Sequence, residues 1–226
     1  EDGGERNQPP LDILPMAPDR LQPWQVLGTV ARALKNAPPW HLQEMVQLRT
    51  HLSFILHVNL VCRPFDLQRI LLNELRRTTI LDESSPTGFR EGRRIRLLCG
   101  KESARPVDLE VAATPETPWC CPVAALDCYL ERSEEMRRVV QPAQAEGNGE
   151  VPFLFVGNKS TRGNDGRYQR NAIFVSSECL SQQIVKLVTR LGLPTVRAKN
   201  LRSLSATAAR DFGIEERFVL KRGRWK

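Results

Sequence analysis

Apolar residues recur at helical spacing along most of the chain. Residues 1–20 mix glycine, proline and charge without any period, and we expect them to form a flexible leader. The next stretch, "PWQVLGTVARALKNA", begins with Pro23, which suits a first helical turn. Its helical stripe comprises Trp24, Leu27, Val30 and Leu34. We therefore expect one domain over residues 21–226, starting with a helix.

Two further helices are predicted to meet at Arg63. The run "HLQEMVQLRTHLSFILHVNLVC" is apolar on most sides and predicts a long buried helix. The run "RPFDLQRILLNELRR" predicts a second helix, because Pro64 stands where a missing N–H costs nothing. Arg63 is thus placed at a helix junction.

Three more helices are predicted in the second half of the chain. One begins at Pro122, in "VAALDCYLERSEEMRRVV". Another, "SSECLSQQIVKLVTRLG", is capped by Ser176 or Ser177 and ends at Gly192. The last is the alanine-rich "KNLRSLSATAARDFG".

In "GRRIRLLCGKESARPVDLEV" the helical spacing of apolar residues gives way to two extended runs, which predict a β-hairpin. Its turn is at residues 100–103, with Lys101 at the tip. "VPFLFVG" predicts a short strand, and "NKSTRGNDGRYQRN" predicts an exposed insertion. The pattern as a whole predicts a mainly α fold with a small antiparallel β-sheet, of the α+β class.

Charge points to a polyanionic partner. The chain has 226 residues, a net charge of +7 and a sequence pI of about 9.4. This balance favours nucleic acid over a membrane surface. No apolar run approaches the length of a membrane span. We expect no membrane association.

The cysteines indicate a reducing, intracellular compartment. None of the six forms a CxxC pair or lies near a histidine at metal-ligand spacing. We interpret them as buried thiols and expect neither a metal nor a small-molecule cofactor.

The basic charge is concentrated at the carboxyl-terminal end. Residues 190–226 contain ten Lys and Arg against three Asp and Glu, which leaves +7. Lys199 and Arg202 are three residues apart and share a helix face. Small residues that let this helix pack closely are Ser203, Ser205, Ala206, Ala208 and Ala209. Both cations can therefore converge on one phosphate.

Each basic residue also has a purely structural interpretation. Arg63 could cap carbonyls, Lys101 could be a solvated turn residue, and Lys199 with Arg202 could form a solvated helix face. Arg132 is predicted to lie on a solvated helix face. The order of the motifs favours a functional interpretation.

Six segments occur in the order found in the catalytic domain of tyrosine recombinases. They are "VCRPFDL", "GKESARPVDL", "CPVAALDCYLERS", "PFLF", "KNLRSLSATAARDFG" and "KRGRWK". The resemblance runs from about residue 20 to the end. The sequence is most similar to the DIRS and Crypton type of eukaryotic mobile elements, through R-x-x-D-L at Arg63, Gly-Lys at Lys101, K-x-x-R at Lys199 and G-R-W at Trp225.

The resemblance implies the DNA breaking-rejoining fold and a site-specific recombinase or integrase activity. In this family a tyrosine attacks a phosphodiester, and a deoxyribose hydroxyl later reverses the 3′-phosphotyrosyl link without metal or cofactor. Arg63 and Arg202 would grip the phosphate, because the transition state gathers negative charge on its non-bridging oxygens. Lys101 would protonate the leaving 5′ oxygen as general acid.

The remaining roles also follow from the resemblance. Lys199 stands where histidine is commoner and would donate a hydrogen bond to a phosphate oxygen. The indole N–H of Trp225 would donate likewise, or Trp225 is a core residue. Asp66 would orient one of the cations without reacting. Further predicted DNA contacts are Arg93, Arg94, Arg105, Arg197, Arg222 and Arg224.

The family's nucleophile has no match. The sequence ends one residue after Trp225, before the place where the resemblance puts the tyrosine. Tyr129 is predicted to be a core or rim residue and Tyr168 an exposed loop residue. We interpret the chain as ending before its nucleophile, while a tyrosine supplied by another subunit and a loss of catalysis remain open.

Two functions of different classes therefore stand. One is a recombinase that acts on double-stranded DNA, for which the family implies a tetrameric synapse and a nuclear location. The other is an inactive recombinase fold that only binds DNA or a partner. A type IB topoisomerase is less favoured, because the contexts "CPVAALDCYL" and "GRWK" are typical of the recombinase branch.

Overall fold

Helices make up most of the described part of the chain. A computed structural model describes residues 22–97, 106–138, 153–162, 168–193 and 198–223. The helices are α1 (Pro23–Lys35), α2 (Met45–Leu60), α3 (Pro64–Gln68), α4 (Pro122–Arg138), α5 (Ser177–Arg190), α6 (Ala198–Asp211) and α7 (Glu216–Gly223). The strands are β1 (Leu75–Leu81), β2 (Phe89–Leu97), β3 (Val107–Ala112), β4 (Val156–Arg162) and β5 (Tyr168–Phe174). The predicted fold class is confirmed, and the leader lies outside the described residues.

The larger sheet has the strand order β1-β2-β3, with both pairs antiparallel. The predicted hairpin is confirmed as β2 and β3, while its turn with Lys101 lies outside the described residues. The prediction of a helix through residues 69–77 is wrong. The α3 helix ends at Gln68, and the backbone C=O of Ile70 then accepts a bond of 2.7 Å from the Leu154 N–H. Non-local pairing thus overrides the local helical pattern.

A second antiparallel pair, β4 and β5, includes residues of the predicted insertion, whose exposure stays a prediction. The two strands pair in register from Val156 with Phe174 to Arg162 with Tyr168. Tyr168 therefore opens a strand rather than lying in a loop. Of the predicted strand "VPFLFVG", Phe153 forms an isolated bridge with Leu71, and Val156 and Gly157 open β4. Polar side chains hide the strand pattern here, because backbone hydrogen bonds form the ladder.

The core lies around α2, whose apolar side chains are buried on several sides. Leu48, Leu52 and Leu56 are fully buried there. The α1 helix contributes Val26, Val30 and Leu34. Trp24, which the sequence pattern placed on the buried stripe, is 46% exposed. The buried face follows the i, i+4 spacing from Val26, so the predicted stripe is confirmed at Val30 and Leu34 and wrong at Trp24.

Buried polar groups hold residues 153–156 against α2 and α4. Arg49 donates to the Val156 C=O at 2.8 Å, and Arg137 donates to the carbonyls of Phe153 and Leu154. The Tyr129 hydroxyl donates to the Val156 C=O and accepts from its N–H, both at 3.1 Å. Tyr129 is fully buried, which confirms its prediction as a core residue.

The helix caps follow the sequence signals. Ser176 Oγ accepts from the Cys179 N–H at 3.2 Å and begins α5. Gly192 follows α5 with a φ of 78°, which favours glycine. Both predicted ends of α5 are confirmed.

The cysteines are only partly buried. Cys62 and Cys121 are buried, Cys120, Cys128 and Cys179 are half-buried, and Cys99 lies outside the described residues. Within the described ranges, no group of His, Cys, Asp and Glu side chains has metal-site geometry. No helix in the same ranges is both long and apolar enough to cross a bilayer.

Acid is expected to destabilise the fold through two histidines on α2. Burial lowers the pKa of both His51 and His57 from 6.5 to about 4. Both are neutral when folded and take up a proton when unfolded, so stability falls as pH drops from about 6.5 to 4. A shift of this size corresponds to about 3 kcal/mol per histidine. Urea unfolding of His51→Gln/His57→Gln between pH 7 and pH 4 should show a shallower pH slope than wild type.

The exposed His41 provides the matched control. His41→Gln should keep the wild-type slope. Equal slopes for wild type and the double variant would contradict the assignment of the acid sensitivity to α2.

Tyr129→Phe should lower the free energy of unfolding by about 2 kcal/mol, because a buried N–H and a buried C=O at Val156 lose their partner. Chemical denaturation measures this loss. DNA affinity should stay unchanged, and a large loss of affinity at full folding would contradict a purely structural role for this hydroxyl.

Candidate functional site

A cavity of about 600 Å³ brings Arg63 and Arg202 together. Residues from the beginnings of α3, α5 and α6 line it. The beginning of α3 contributes Arg63 and Phe65. The α6 helix contributes Asn200, Arg202 and Ser203. The two arginines are far apart in sequence, so only the tertiary fold brings them to one cavity.

Asp66 fixes the backbone at Arg63. The Arg63 N–H donates to Asp66 Oδ2 at 2.8 Å, and the Asp66 side chain is buried. Pro64 occupies the first position of α3, as predicted. Asp66 was expected to orient a cation, and this hydrogen bond shows it orienting the Arg63 main chain.

The turn before Arg63 holds a strained residue. Val61 has φ 50° and ψ 37°, a left-handed conformation that a β-branched residue rarely adopts. Its buried side chain packs with Ala206 and Val219, from α6 and α7. This packing offsets the strain and ties the Arg63 turn to the helix that carries Arg202.

Arg202 lies at the inner edge of the cavity and is 7% exposed. The close packing predicted for its helix is confirmed for Ser205, Ala206 and Ala208, which are all buried. Ser203 differs, because it is exposed and lines the cavity instead. The helix therefore packs on one side of Arg202 and opens to the cavity on the other.

Helix beginnings add to the positive potential of the cavity. Ser177, Glu178 and Ser181 come from the first turns of α5. The first turns of α6 line the same space. The positive end of a helix dipole attracts anions. At α5 the Ser177 and Cys179 N–H groups already donate to Gln68 Oε1 and Ser176 Oγ, so this helix acts through its dipole. Together with two guanidinium groups these helix beginnings form a suitable pocket for a phosphate group, with Glu178 as the carboxylate in the lining.

The structure adds His57, which sequence reasoning missed. His57 is fully buried on α2. Burial lowers its pKa to about 4, the Asp66 carboxylate raises the pKa, and the Arg202 guanidinium lowers it. It does not line the cavity, but the charges of Asp66 and Arg202 both act on it. A histidine inside the apolar run "SFILHVNL" was the available signal.

Several predicted site residues stay predictions. Lys199 lies on α6 and Arg222 on α7, and the structure describes the side chain of neither. Those outside the described residues are Lys101, Arg105, Arg197, Arg224 and Trp225.

Two predicted DNA contacts occupy ion pairs. Arg93 is buried and pairs with Asp127 and Glu91. Arg94 is exposed and pairs with Glu110 at 2.9 Å. Their roles toward DNA stay predictions, and the buried pair shows Arg93 engaged in holding β2 against α4.

The prediction for Arg132 is wrong. Its guanidinium donates to the carbonyls of Trp40, at 3.1 Å, and Gln43. Trp40 begins a short 3₁₀ turn that ends before Gln43, and the Trp40 C=O also accepts from the Gln43 N–H at 3.4 Å. Arg132 is a structural residue rather than a solvated one.

Solved recombinase structures share this architecture. No family model and no curated protein sequence matches the chain. The XerH site-specific recombinase in a pre-cleavage complex with its difH substrate aligns at 13% identity and a TM-score of 0.53, over 89% of this chain and 45% of that chain. Its post-cleavage complex with a palindromic difH substrate aligns at 13% identity and a TM-score of 0.54, over 92% and 46%.

A lambda integrase dimer bound to a COC′ core site aligns at 15% identity over 90% of this chain and 43% of that chain, with a TM-score of 0.44 that is too low to support an argument. The XerH alignments establish the fold of the chain as that of the tyrosine recombinase catalytic domain. The chain spans less than half the length of these recombinases.

Glu178→Gln should increase the affinity of the cavity for inorganic phosphate by about 3- to 5-fold, because it removes a negative charge from the lining. NMR titration with phosphate measures the dissociation constant. Glu135→Gln, at an exposed position of α4, is the matched control and should leave the constant unchanged. An unchanged constant for Glu178→Gln would show that phosphate binds elsewhere.

Proposed function

We propose that this chain belongs to the catalytic domain of a recombinase that cleaves and rejoins double-stranded DNA through a 3′-phosphotyrosyl intermediate. The observation that carries the proposal is the convergence of Arg63 and Arg202 on one cavity at the beginnings of α5 and α6. The recombinase fold supports the same conclusion.

The chemistry explains why two arginines are needed. The tyrosine hydroxyl gives its proton to solvent water and its oxygen forms a bond to phosphorus, while the bond from phosphorus to the 5′ oxygen breaks and that oxygen takes up a proton. The phosphorane between these states carries added negative charge on its non-bridging oxygens. Two guanidinium groups can bind those oxygens in a fixed fork geometry and lower the barrier. Arg63 and Arg202 take this role.

The other roles rest on sequence motifs. In the proposal Lys101 gives its proton to the departing 5′ oxygen, and Lys199 and Trp225 donate hydrogen bonds to the phosphate. The reaction needs no metal or cofactor, since the tyrosine is the nucleophile and a deoxyribose hydroxyl reverses the step.

In the proposal the nucleophile is neither Tyr129 nor Tyr168, because neither tyrosine matches the family motif. Tyr129 is fully buried, its hydroxyl is bonded to Val156, and burial raises its pKa. It cannot reach a phosphate in the cavity. The proposal therefore takes the tyrosine from another segment of the protein or from another subunit.

The biological setting is part of the proposal and is supported only by motif resemblance. The R-x-x-D-L motif at Arg63 and the K-x-x-R motif at Lys199 are similar to those of DIRS and Crypton elements. We therefore assign the chain to a mobile-element recombinase that acts in the nucleus as a tetrameric synapse on DNA.

Arg63→Ala and Arg202→Ala should each weaken binding to duplex DNA by about tenfold or more, because each removes a charge-assisted bond to phosphate. Fluorescence anisotropy at fixed salt measures the affinity. The matched control is Arg190→Ala, because Arg190 is exposed and about 20 Å along α5 from the cavity end. Equal losses for all three variants would indicate diffuse charge and no phosphate site.

Catalysis is tested with the full-length protein that contains this chain. A duplex nicked next to the candidate cleavage site traps the covalent intermediate, and a denaturing gel detects the protein–DNA adduct without metal. An adduct that disappears on substitution of one tyrosine by phenylalanine supports the recombinase. Tight binding without an adduct would instead support the inactive DNA-binding module.

A further inference from the structure

His57 occupies a position that links three helices. It lies on α2, and its pKa responds to the Asp66 carboxylate on α3 and to the Arg202 guanidinium on α6. The Ala198 C=O at the start of α6 also raises this pKa, although no ring nitrogen has hydrogen-bond geometry toward it. The α2 helix packs against both α3 and α6. The imidazole thus lies where the elements of the candidate site meet.

The imidazole is a buried polar group without hydrogen bonds to the described residues. The ring is fully buried, and neither Nδ1 nor Nε2 has a hydrogen-bond partner within the described ranges. Buried polar groups are almost always paired, because an unpaired one loses its bonds to water without replacement. Such exceptions require an explanation, and functional sites are where they concentrate.

A neutral imidazole fits between its two charged neighbours. It has one N–H donor and one acceptor nitrogen. A carboxylate such as Asp66 only accepts hydrogen bonds, and a guanidinium such as Arg202 only donates them. One tautomer of His57 can therefore donate to Asp66 while its other nitrogen accepts from Arg202. An apolar residue in this place can do neither.

We propose that His57 is a positioning residue of the phosphate site, which bridges Asp66 and Arg202 when a phosphodiester is bound. This inference rests on the proposed function. Asp66 already accepts from the Arg63 N–H. The bridge thus extends from the Arg63 main chain through Asp66 and His57 to the guanidinium of Arg202, and it fixes the distance between the two arginines.

In the free protein the buried imidazole, without hydrogen bonds to the described residues, lowers the free energy of unfolding. Binding of a phosphate provides the free energy that forms the bridge. A small shift of the Arg202 side chain toward a bound phosphate, or of the first turn of α6, closes the missing hydrogen bonds. A residue with this role should stabilise the phosphate-bound state and destabilise the free protein. Residues at functional sites often lower stability in this way.

Substitution by leucine and by glutamine separates this role from simple packing. His57→Leu should raise the melting temperature at pH 7.5, because an apolar side chain removes the unpaired polar group, and should weaken duplex DNA binding by about tenfold. His57→Gln keeps a donor and an acceptor, so its affinity should stay close to wild type. Thermal melts and fluorescence anisotropy with the same duplex measure both quantities.

Three outcomes would overturn the proposal. They are unchanged affinity in His57→Leu, a joint loss of stability and affinity in His57→Leu with no rescue by glutamine, and equal affinity losses in both variants. Failure of the proposed function is recognised separately, because Arg63→Ala and Arg202→Ala would then bind DNA as wild type does.

A measurement on the wild-type protein keeps the proposal falsifiable if His57→Leu does not fold. The ¹⁵N signals of the His57 ring report its tautomer and its hydrogen bonds. On addition of duplex DNA, the signal of the non-protonated nitrogen should move upfield as it accepts a bond from Arg202. Ring signals that do not change on DNA binding would exclude the bridge.

Discussion

The hydrogen bond from the Arg63 N–H to the Asp66 carboxylate fixes the junction on which the candidate site depends. It begins α3 directly after the strained turn at Val61, whose side chain is held by Ala206 and Val219. The direction in which Arg63 leaves α2 is therefore set by packing against α6 and α7. Because α6 also carries Arg202, one set of contacts determines where both arginines lie.

Electrostatics and packing oppose each other at this junction. Two guanidinium groups and the beginnings of two helices bring like charges into one cavity. Asp66 and Glu178 supply the negative charge near them. His57, on which Asp66 and Arg202 both act, adds no charge, because burial keeps its pKa low. A bound phosphate would complete the balance, since it brings the negative charge that the protein itself supplies only in part.

The site stands on a framework held by buried polar groups. Arg49, Arg137 and Tyr129 all bond to the backbone of residues 153–156. Phe153 in that segment forms an antiparallel bridge with Leu71, which lies between α3 and β1, and the segment leads directly into β4. The chain thus uses its arginines in two ways, some as buried clamps for carbonyls and others at a cavity open to a ligand. Burial and partners distinguish the two groups, whereas charge alone does not.

The sequence by itself determined the helices α1, α2, α4, α5 and α6, the β2–β3 hairpin, and Arg63, Asp66 and Arg202 as candidates. These features depend on local periodicity, on caps such as Ser176 and on motifs of a few residues. Tertiary structure decided β1, the β4–β5 hairpin, the clamp role of Arg132 and the position of His57. For Arg132 and His57 the deciding neighbour is distant in sequence: Trp40 for Arg132 and Arg202 for His57. Such contacts leave no local pattern, and so only the folded chain reveals them. The strands β1, β4 and β5 pair with neighbours close in sequence, but their side chains do not alternate between apolar and polar, so only the backbone ladder of the folded chain identifies them.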